Sequence, residues 1–230
     1  MPPSQDILLS TKKQHLIIFS RYPESGKTKT RMIPALGADD AANLQRQMTE
    51  HTLTNVRKLQ QNQDISIEVR FTGGNFQMMA DWLGHDLIYQ HQGEGDLGEK
   101  MARSLIAHTT ALSLPNSSQV SPRKSIIIGT DCPGINAQIL TTAFDFLDNH
   151  NCVIGPAVDG GYYLIGMCEL IPELFMGINW GTSQVRQQTL DIAQKLNLSV
   201  ASLPLLNDVD RPEDLSIWEK YRHFPEMSNG

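Results

Sequence analysis

The sequence predicts an α/β fold: a single-domain three-layer sandwich with a mostly parallel central sheet. Short apolar runs typical of buried strands alternate with segments whose apolar residues recur at helical spacing. The alternation continues along one uninterrupted domain, and strands that are separated by helices usually pair in parallel. We expect a folded domain over 15–221, a flexible N-terminal tail over 1–14 and a C-terminal tail over 222–230.

The first half of the chain begins this alternation. "HLIIFS" is short and apolar and precedes a glycine-containing loop, which is typical of a buried strand. "DISIEVRFT" alternates apolar and polar residues as a strand does, and "NFQMMADWLG" opens on a possible cap and closes on glycine. Four methionines are expected to pack in the core: Met48, Met78, Met79 and Met101. The predicted order is a strand at 15–20, a helix at 39–61, a strand at 64–72, a helix at 75–84, a strand at 86–90 and a glycine-rich turn leading into a helix within 91–112.

The second half continues the pattern. A Ser/Pro-rich stretch at 113–124 indicates a surface connection rather than a domain boundary, because strand-like "SIIIG" follows at once. Pro212 is well placed for the first turn of the last helix. The predicted order is a strand at 125–129, a helix at 136–149, a strand at 152–157, an apolar β-prone segment at 161–167, a helix at 183–196, a strand at 198–204 and a closing helix.

Composition and charge exclude several classes of protein. Hydrophobic residues make up 40% and charged residues 19% of the chain, as in ordinary globular proteins. A net charge of -6 and a pI of about 5.6 argue against nucleic acid as a partner, since coating it requires broad positive charge. No apolar stretch approaches the ~20 residues of a membrane span, and the start of the chain does not fit a secretory signal. The three cysteines lack CxxC spacing and indicate free thiols in a reducing compartment, so we expect a cytoplasmic protein.

The stretch "RYPESGKTKTRM" after the first predicted strand concentrates positive charge. Residues 7–31 contain six lysines and arginines but one acid, Glu24. Gly26-Lys27-Thr28 matches the second half of a Walker-type phosphate loop, but Arg21 stands where that loop needs its first glycine. The stretch is either a solvated charged loop or a Pro/Gly loop that attracts a phosphate locally in a net-acidic protein. In the second case the binding residues are Arg21, Gly26, Lys27, Lys29 and Arg31.

Acidic residues follow other predicted strands. Ligands of such sheets bind beyond the carboxyl ends of the strands, so residues just after each apolar run are candidates for the site. Asp131 follows "SIIIG" directly, and Asp208 and Asp210 follow the last strand-like run. Carboxylates bind Mg²⁺, which also bridges to substrate phosphates, so Asp131 is the first candidate ligand and Asp208 or Asp210 the second. Asp131 alone also fits a helix N-cap or a turn, and one of Asp208 and Asp210 fits a cap of the last helix.

Two glycine-rich stretches are further candidates. In "GPAVDGGYYLIG", Gly160 and Gly161 allow a ligand or another backbone to approach closely, and Asp159 either orients an acceptor or stabilises a turn. "GEGDLGEKM" lies between a predicted strand and an amphipathic helix. We expect its Asp96 and Gly98 to line the nucleoside or sugar pocket.

Six ordered motifs together resemble one bacterial family. They are "RYPESGKTKTRM", "GEGDLGEKM", "GTDCPG", "GPAVDGGYYLIG", "INWGTSQV" and "LNDVDRPEDL". From about residue 15 to residue 221 the chain resembles the DUF2064 family, also described as radical-SAM/selenodomain-associated transferase 1. That family is similar to the nucleotide-diphospho-sugar transferases with a GT-A fold and, more distantly, to the molybdenum-cofactor and phospholactate guanylyltransferases.

The resemblance implies a nucleotide site with Lys27 and Arg31 at phosphates and with Mg²⁺ or Mn²⁺ on Asp131. The sequence departs from the expected pattern twice. Lys100 stands in place of an arginine, and Asp-Cys-Pro at 131–133 stands in place of the Asp-x-Asp of many glycosyltransferases.

Three functions are compatible with these residues. The first is a metal-dependent, glycosyltransferase-like enzyme that uses a nucleotide or nucleotide-diphospho-sugar donor, with Asp131, Lys27 and Asp159 as catalytic residues. The second is a nucleotidyltransferase, in which an acceptor phosphate attacks the α-phosphate of a nucleoside triphosphate and diphosphate leaves; the basic loop favours it, because cations stabilise the departing charge. The third is a nucleotide-binding module without turnover. Either transferase also needs a small-molecule acceptor, which the sequence does not identify.

Overall fold

The computed structural model of the protein describes residues 13–109 and 123–222. These residues form one seven-stranded sheet. The strands are β1 (Gln14–Arg21), β2 (Ile65–Thr72), β3 (Ile88–His91), β4 (Lys124–Ile128), β5 (Cys152–Pro156), β6 (Tyr162–Met167) and β7 (Val200–Ser202). The α-helices are α1 (Ile33–Leu36), α2 (Ala38–Asn62), α3 (Phe76–Leu83), α4 (Leu97–Thr109), α5 (Ala137–Phe146), α6 (Val185–Lys195) and α7 (Leu215–Arg222). Short 3-10 turns occur at Thr30–Met32, Pro172–Phe175 and Pro212–Asp214.

The sheet is mostly parallel, as the sequence predicts. Its strand order is β3-β2-β1-β4-β6-β5-β7. β6 runs antiparallel to both of its neighbours, β4 and β5, whereas the other pairs are parallel. The carboxyl ends of all strands except β6 therefore meet at one edge of the sheet.

Helices cover both faces of the sheet, which confirms the three-layer sandwich. Side chains alternate between the two faces along a strand. On β1, Leu16 and Ile18 pack in a core cluster with residues of α2, α3 and α5, whereas Ile17 packs with residues of α4 and α6 on the other face. All three of these β1 side chains are at most 1% exposed.

Local signals fix several helix ends. The side chain of Asn75 accepts a hydrogen bond of 3.0 Å from the amide of Met78, which confirms the predicted cap of α3. Gly84 ends that helix at a φ of 111°, which favours glycine. Pro212 opens the 3-10 turn that leads into α7, as predicted.

A few predictions differ from the structure in detail. The helix predicted over 136–149 ends at Phe146, and the strand predicted over 198–204 is limited to Val200–Ser202. Met78 is 37% exposed, so its expected place in the core is wrong, because it lies on the solvent side of α3. The other three methionines are buried, as expected: Met48, Met79 and Met101.

Some predictions lie at or beyond the limits of the described residues. Most of both predicted tails, and the connection at 113–124 as far as residue 122, fall outside them; the domain limits stay a prediction. The three cysteines are free thiols, as predicted. None of the described helices has the length and hydropathy that crossing a bilayer requires.

Candidate active site

A cleft of about 670 Å³ lies at the carboxyl ends of β1, β4 and β5. This is the edge of an open α/β sheet where ligands bind. Its lining includes every cation and every carboxylate that the sequence predicts for the site, with one exception. The charged residues that line it are Arg21, Lys27, Lys29, Arg31, Asp131, Asp159, Asp208 and Asp210; the exception is Asp96.

The loop after β1 is held by a buried threonine. The hydroxyl of Thr28, a residue 1% exposed, donates to the carbonyl of Tyr22 at 3.0 Å and accepts from the amide of Glu24 at 3.2 Å. Gly26 adopts a φ of 77° at the tip of this loop. These bonds fix the loop so that successive side chains point in different directions.

Lys29 turns inward from the loop. It adopts a φ of 48°, an uncommon conformation for a residue with a side chain. Its side chain is 4% exposed, and its Nζ atom donates to Asp131 Oδ1 at 2.8 Å and to the carbonyl of Val209 at 2.6 Å. Lys29 therefore joins the loops that follow β1 and β4 to the segment that carries Asp208 and Asp210.

The other two basic side chains of "GKTKTR", those of Lys27 and Arg31, lie on the surface. The side chain of Lys27 is 64% exposed and its Nζ lies 2.7 Å from Glu24 Oε1. Arg31 pairs with Asp210 through Nη1. An exposed pair such as Lys27–Glu24 contributes little to stability, so Lys27 is free to exchange Glu24 for a ligand anion.

Asp131 lies at the cleft and does not cap a helix. Its side chain is 52% exposed, and Oδ1 contacts Lys29. The cap of α5 is Asn136, whose side chain accepts from the amide of Ile139 at 3.0 Å. The carbonyl of Asp131 accepts from the amide of Val209 at 2.9 Å, which brings the last acidic segment to this loop. The alternative that Asp131 serves as an N-cap is wrong.

Asp208 and Asp210 differ in their surroundings. Asp210 pairs with Arg31, whereas Asp208 forms no ion pair among the residues that the structure describes. Burial, together with the nearby Asp159 carboxylate, raises the pKa of Asp208 above its ordinary value. Asp208 and Asp159 are therefore two carboxylates that repel each other across the cleft.

A third aspartate belongs to the same environment. Burial raises the pKa of the Cys132 thiol, and the charges of Asp131, Asp208 and Asp159 raise it further. All three carboxylates therefore lie close enough to the Cys132 thiol to raise its pKa, so they surround the same part of the cleft. The Asp210 side chain pairs with Arg31, and its charge also contributes to the raised pKa of Asp208.

Neither Asp208 nor Asp210 caps the last helix. The N-cap of the turn that opens this helix is Arg211, and Asp214 Oδ2 accepts from the amides of Arg211 at 2.8 Å and Asp210 at 3.1 Å. The alternative that one of the two earlier aspartates is the cap is therefore wrong, because Arg211 occupies the N-cap position.

The "VDGG" turn packs against the segment that contains "INWGTSQV". Asp159 Oδ1 accepts from the amide of Gly161 at 2.8 Å, so the side chain does stabilise its turn, while its other oxygen forms no hydrogen bond with the described residues. A Cβ atom at Gly160 would lie 2.2 Å from the carbonyl oxygen of Ser183. The backbone that approaches this glycine closely is thus that of Ser183.

The "GEGDLGEKM" stretch caps and packs α4. Asp96 and Glu99 form a capping box, in which each side chain accepts from the other's amide, at 2.8 and 2.9 Å. A Cβ atom at Gly98 would lie 2.6 Å from Trp180, so this glycine allows the helix to pack on the indole. From this stretch Leu97 lines the cleft. Contact of Asp96 or Gly98 with a nucleotide stays a prediction.

The residues that line the cleft but were not predicted as site residues include Gln45, Gln92 and Trp180. Trp180 lies within the motif "INWGTSQV", which was a signal for it. Gln45 comes from the middle of α2, and its Nε2 atom lies 3.0 Å from Thr49 Oγ1 and 3.2 Å from Thr130 Oγ1. A side chain that reaches the site from a long helix leaves no local pattern in the sequence.

A larger groove of about 800 Å³ lies beside α2 and α7. His51 lines it, and its Nε2 atom lies 2.9 Å from the carbonyl of Pro133, the second residue after Asp131. Burial lowers the pKa of His51. Because its lining does not combine a cation cluster with several facing carboxylates, we assign the chemistry to the cleft at the strand ends.

The donor set fits a divalent cation with few protein ligands. The described residues hold no group of three or more His, Cys, Asp or Glu side chains arranged around one ion. Mg²⁺ needs only one or two carboxylates, because waters and substrate phosphates complete its coordination. Burial and, after it, the charge of Asp159 raise the pKa of Asp208, and a bound cation would favour the charged form of this carboxyl.

Comparisons with known proteins show the family of the chain. The chain matches the model of the family described as "Uncharacterized protein conserved in bacteria (DUF2064)" over residues 55–182. Because this match spans more than half of its 230 residues, the protein belongs to the DUF2064 family. None of the curated proteins matches the sequence significantly.

Solved structures share the fold. A candidate nucleotide-diphospho-sugar transferase from Desulfovibrio desulfuricans G20 is 28% identical, with a TM-score of 0.79 over 95% of this chain and 91% of that one. The 4-diphosphocytidyl-2C-methyl-D-erythritol synthase of Anaerococcus prevotii DSM 20548 is 13% identical, with a TM-score of 0.58 over 93% and 97% of the two chains. CMP:2-keto-3-deoxy-manno-octonic acid synthetase, solved with CTP, is 10% identical, with a TM-score of 0.54 over 91% and 98%. The fold is thus that of nucleotide-diphospho-sugar transferases.

Proposed function

We propose that the protein is a transferase that binds a nucleotide-diphospho-sugar, or another nucleotide donor, together with a divalent cation in the cleft at the strand ends. One observation carries the proposal. The cationic loop after β1 and the carboxylates that follow β4, β5 and β7 line a single cleft, and Lys29 joins the two sets through its bond to Asp131. Such a combination suits a diphosphate that shares a cation with the protein.

The charges of the cleft suggest a role for each residue. Lys27, Arg21 and Arg31 bind donor phosphates, since guanidinium and ammonium groups form charge-assisted hydrogen bonds with them. Asp131 and Asp208 hold Mg²⁺ or Mn²⁺, which would supply Lewis-acid stabilisation of the leaving group. Asp208 is preferred to Asp210 because Arg31 already compensates the charge of Asp210.

Asp159 is suited to orient the acceptor. One of its oxygens is fixed by the amide of Gly161, so the carboxylate has a defined direction in the cleft. The other oxygen is available to accept a proton or a hydrogen bond from an acceptor hydroxyl. Asp159 acts beside the cation and does not need to be its ligand.

Sugar transfer is the first candidate reaction. The 28% identical protein named as a candidate nucleotide-diphospho-sugar transferase spans nearly the whole chain, which supports a donor of that class. In such a transfer the nucleoside diphosphate leaves, and Lys27, an exposed lysine at the cleft, neutralises the charge that develops on it.

Nucleotidyl transfer is the second candidate. The observation that favours it is the exposed positive charge at the cleft, since the Lys27 and Arg31 side chains are both suited to a departing diphosphate. In this reaction a phosphate of the acceptor would attack the α-phosphate of a nucleoside triphosphate.

Two measurements test the proposal. A thermal-shift panel of nucleoside triphosphates and nucleotide-diphospho-sugars, each with and without Mn²⁺, should show a stabilising donor whose effect depends on the ion. With that donor and a panel of acceptors, release of nucleoside diphosphate identifies sugar transfer and release of inorganic diphosphate identifies nucleotidyl transfer. A donor that binds without any turnover would favour a nucleotide-binding module, and a panel without any stabilising nucleotide would contradict all three functions.

A further inference from the structure

Gln92 is the first residue after β3 and lies on the floor of the cleft. The residue is 8% exposed and lines the cleft. Its amide donates to the carbonyl of Phe71 on β2 at 3.0 Å, which continues the pairing of the two strands. A polar side chain this deeply buried must have its hydrogen-bonding groups satisfied by the protein or by a ligand.

The orientation of the Gln92 side-chain amide is fixed by its partners. Its Nε2 atom lies 3.3 Å from the carbonyl oxygen of Ser20 on β1 and 3.1 Å from that of Arg70 on β2. Carbonyl oxygens only accept hydrogen bonds, so the nitrogen must face them and both of its hydrogens are used. Gln45 differs, because its partners are hydroxyls that can donate or accept.

The Oε1 atom of Gln92 consequently points away from these strands. No donor among the described residues contacts it. The segment that carries it is held rigidly: Arg103 donates to the carbonyl of Gln92 at 2.7 Å and to that of Glu94 at 2.8 Å. The cleft therefore contains a fixed acceptor without a protein donor, and a preorganised group of this kind provides specificity.

The order of the strands indicates which part of a donor would reach Gln92. Across the sheet the groups occur in the order Gln92 beyond β3, the cationic loop after β1, Asp131 after β4 and Asp159 after β5. The cationic loop is proposed to bind the phosphates and Asp159 to orient the acceptor. The nucleoside of the donor would then lie on the opposite side of the phosphates from the acceptor, which is the side of Gln92.

We propose that Gln92 Oε1 accepts a hydrogen bond from an exocyclic amino group of the nucleobase, an inference that rests on the proposed nucleotide site. Adenine, cytosine and guanine carry such a group. Hypoxanthine, uracil and xanthine are the respective bases in which a carbonyl oxygen replaces this amino group, and that oxygen would face the Gln92 oxygen and repel it. The fixed amide cannot rotate to accommodate them, because its nitrogen would then lose both backbone acceptors.

Binding measurements by calorimetry with Mn²⁺ test this assignment. The parent protein should prefer one amino-bearing triphosphate over its oxo counterpart, namely CTP over UTP, ATP over ITP or GTP over XTP, by about 10- to 100-fold. Gln92→Met, which keeps the length of the side chain, should weaken binding of the preferred nucleotide by about 10-fold and reduce that preference. Gln63→Met is the matched control, since Gln63 bonds to Thr141 Oγ1 and does not line the cleft.

The comparison within the parent protein does not depend on folding of the variant. Equal affinity for both members of every amino and oxo pair would overturn the inference and leave the proposed function intact, because nucleotide binding would still be observed. A folded Gln92→Met variant with the preference of the parent would overturn it as well. Failure of the parent to bind any nucleotide would overturn the proposed function itself.

Discussion

Asp131 and Asp210 each lie against a cation, whereas Asp159 and Asp208 lie near each other without one. Lys29 compensates Asp131, and Arg31 compensates Asp210. By contrast, burial and the charge of Asp159 raise the pKa of Asp208, and neither of these two aspartates forms an ion pair with a described residue. The first pair fastens the loops of the cleft together in the absence of ligand. The second pair retains a charge that a bound cation would neutralise.

This difference separates residues that look alike in the sequence. Lys27, Lys29 and Arg31 occur on alternate positions of one loop, yet only Lys29 is turned inward by its positive φ. Asp208 and Asp210 are two residues apart, yet one lies near Asp159 and the other at Arg31. Neighbouring charged residues of both segments thus have different partners.

The largest effect is expected for nucleotide binding by Asp131→Asn. This change removes the proposed cation ligand, so in the presence of Mn²⁺ the affinity for the preferred donor should fall about 100-fold, the upper range for a charged contact. In EDTA the variant should bind at least as tightly as the parent protein, because Lys29 is left uncompensated and attracts phosphate. Calorimetric titration under both conditions measures this difference.

The control for this variant is Asp145→Asn. Asp145 is an exposed residue near the far end of α5 and does not line the cleft. The Asp145→Asn variant should bind the donor as tightly as the parent protein does, both in Mn²⁺ and in EDTA. Equal losses for Asp131→Asn in Mn²⁺ and in EDTA would show that the Asp131 charge acts without a cation.

The next effect is a stability difference between two matched lysine variants. Lys29→Met removes a buried ammonium that joins Asp131 and Val209, so the free energy of unfolding should fall by about 1 to 3 kcal/mol. Lys27→Met removes an exposed pair and should change it by less than about 0.5 kcal/mol. If Lys27 binds phosphate, its variant still loses roughly 10-fold in nucleotide affinity. Urea denaturation compares the stabilities, and similar losses for the two variants would contradict the structural role of Lys29.

A smaller effect concerns pH. The pKa of Asp208 is raised in the folded protein, so its charged form is disfavoured there relative to the unfolded chain, where the pKa is about 3.9. The penalty is present at neutral pH and disappears as the pH falls through the folded pKa towards the unfolded value. Metal-free Asp208→Asn should therefore be more stable than the parent at pH 7, and this advantage should shrink towards pH 4. Denaturation curves at several pH values measure this difference in stability. A variant that is no more stable than the parent at pH 7, or whose advantage grows as the pH falls, would contradict this sign.

The fold could be predicted because its signals are local. "LIIF" and "SIII" are apolar enough to identify buried strands, and Asn75 and Pro212 mark helix starts. The antiparallel insertion of β6 between β4 and β5 could not be predicted, since the apolar segment at 161–167 has no local feature that sets its direction. The prediction that Met78 is buried was wrong for a related reason: a single apolar residue on a short helix does not specify which side of the helix is buried.

The sequence predicted which charged residues lie at the candidate site, but it did not predict which of them form ion pairs. The strand-end rule brings Asp131, Asp159 and the basic loop together from the sequence alone. The contacts that assign their roles join residues about 100 or more positions apart, such as Lys29 with Asp131 and Arg31 with Asp210. Gln92 was overlooked because its importance lies in the two backbone carbonyls that orient it, which no sequence pattern displays.

The most direct test of the account is the melting temperature of Asp208→Asn beside that of the parent protein, each measured without metal and with Mn²⁺ plus the preferred nucleotide. Without metal the variant should melt higher, because it lacks the charge that Asp159 repels. With ligands at about 100 times their dissociation constants the parent should gain roughly 5 to 10 °C and overtake the variant, which should gain little. A variant that melts lower than the parent without metal, or that gains as much from Mn²⁺ and nucleotide, would contradict the account.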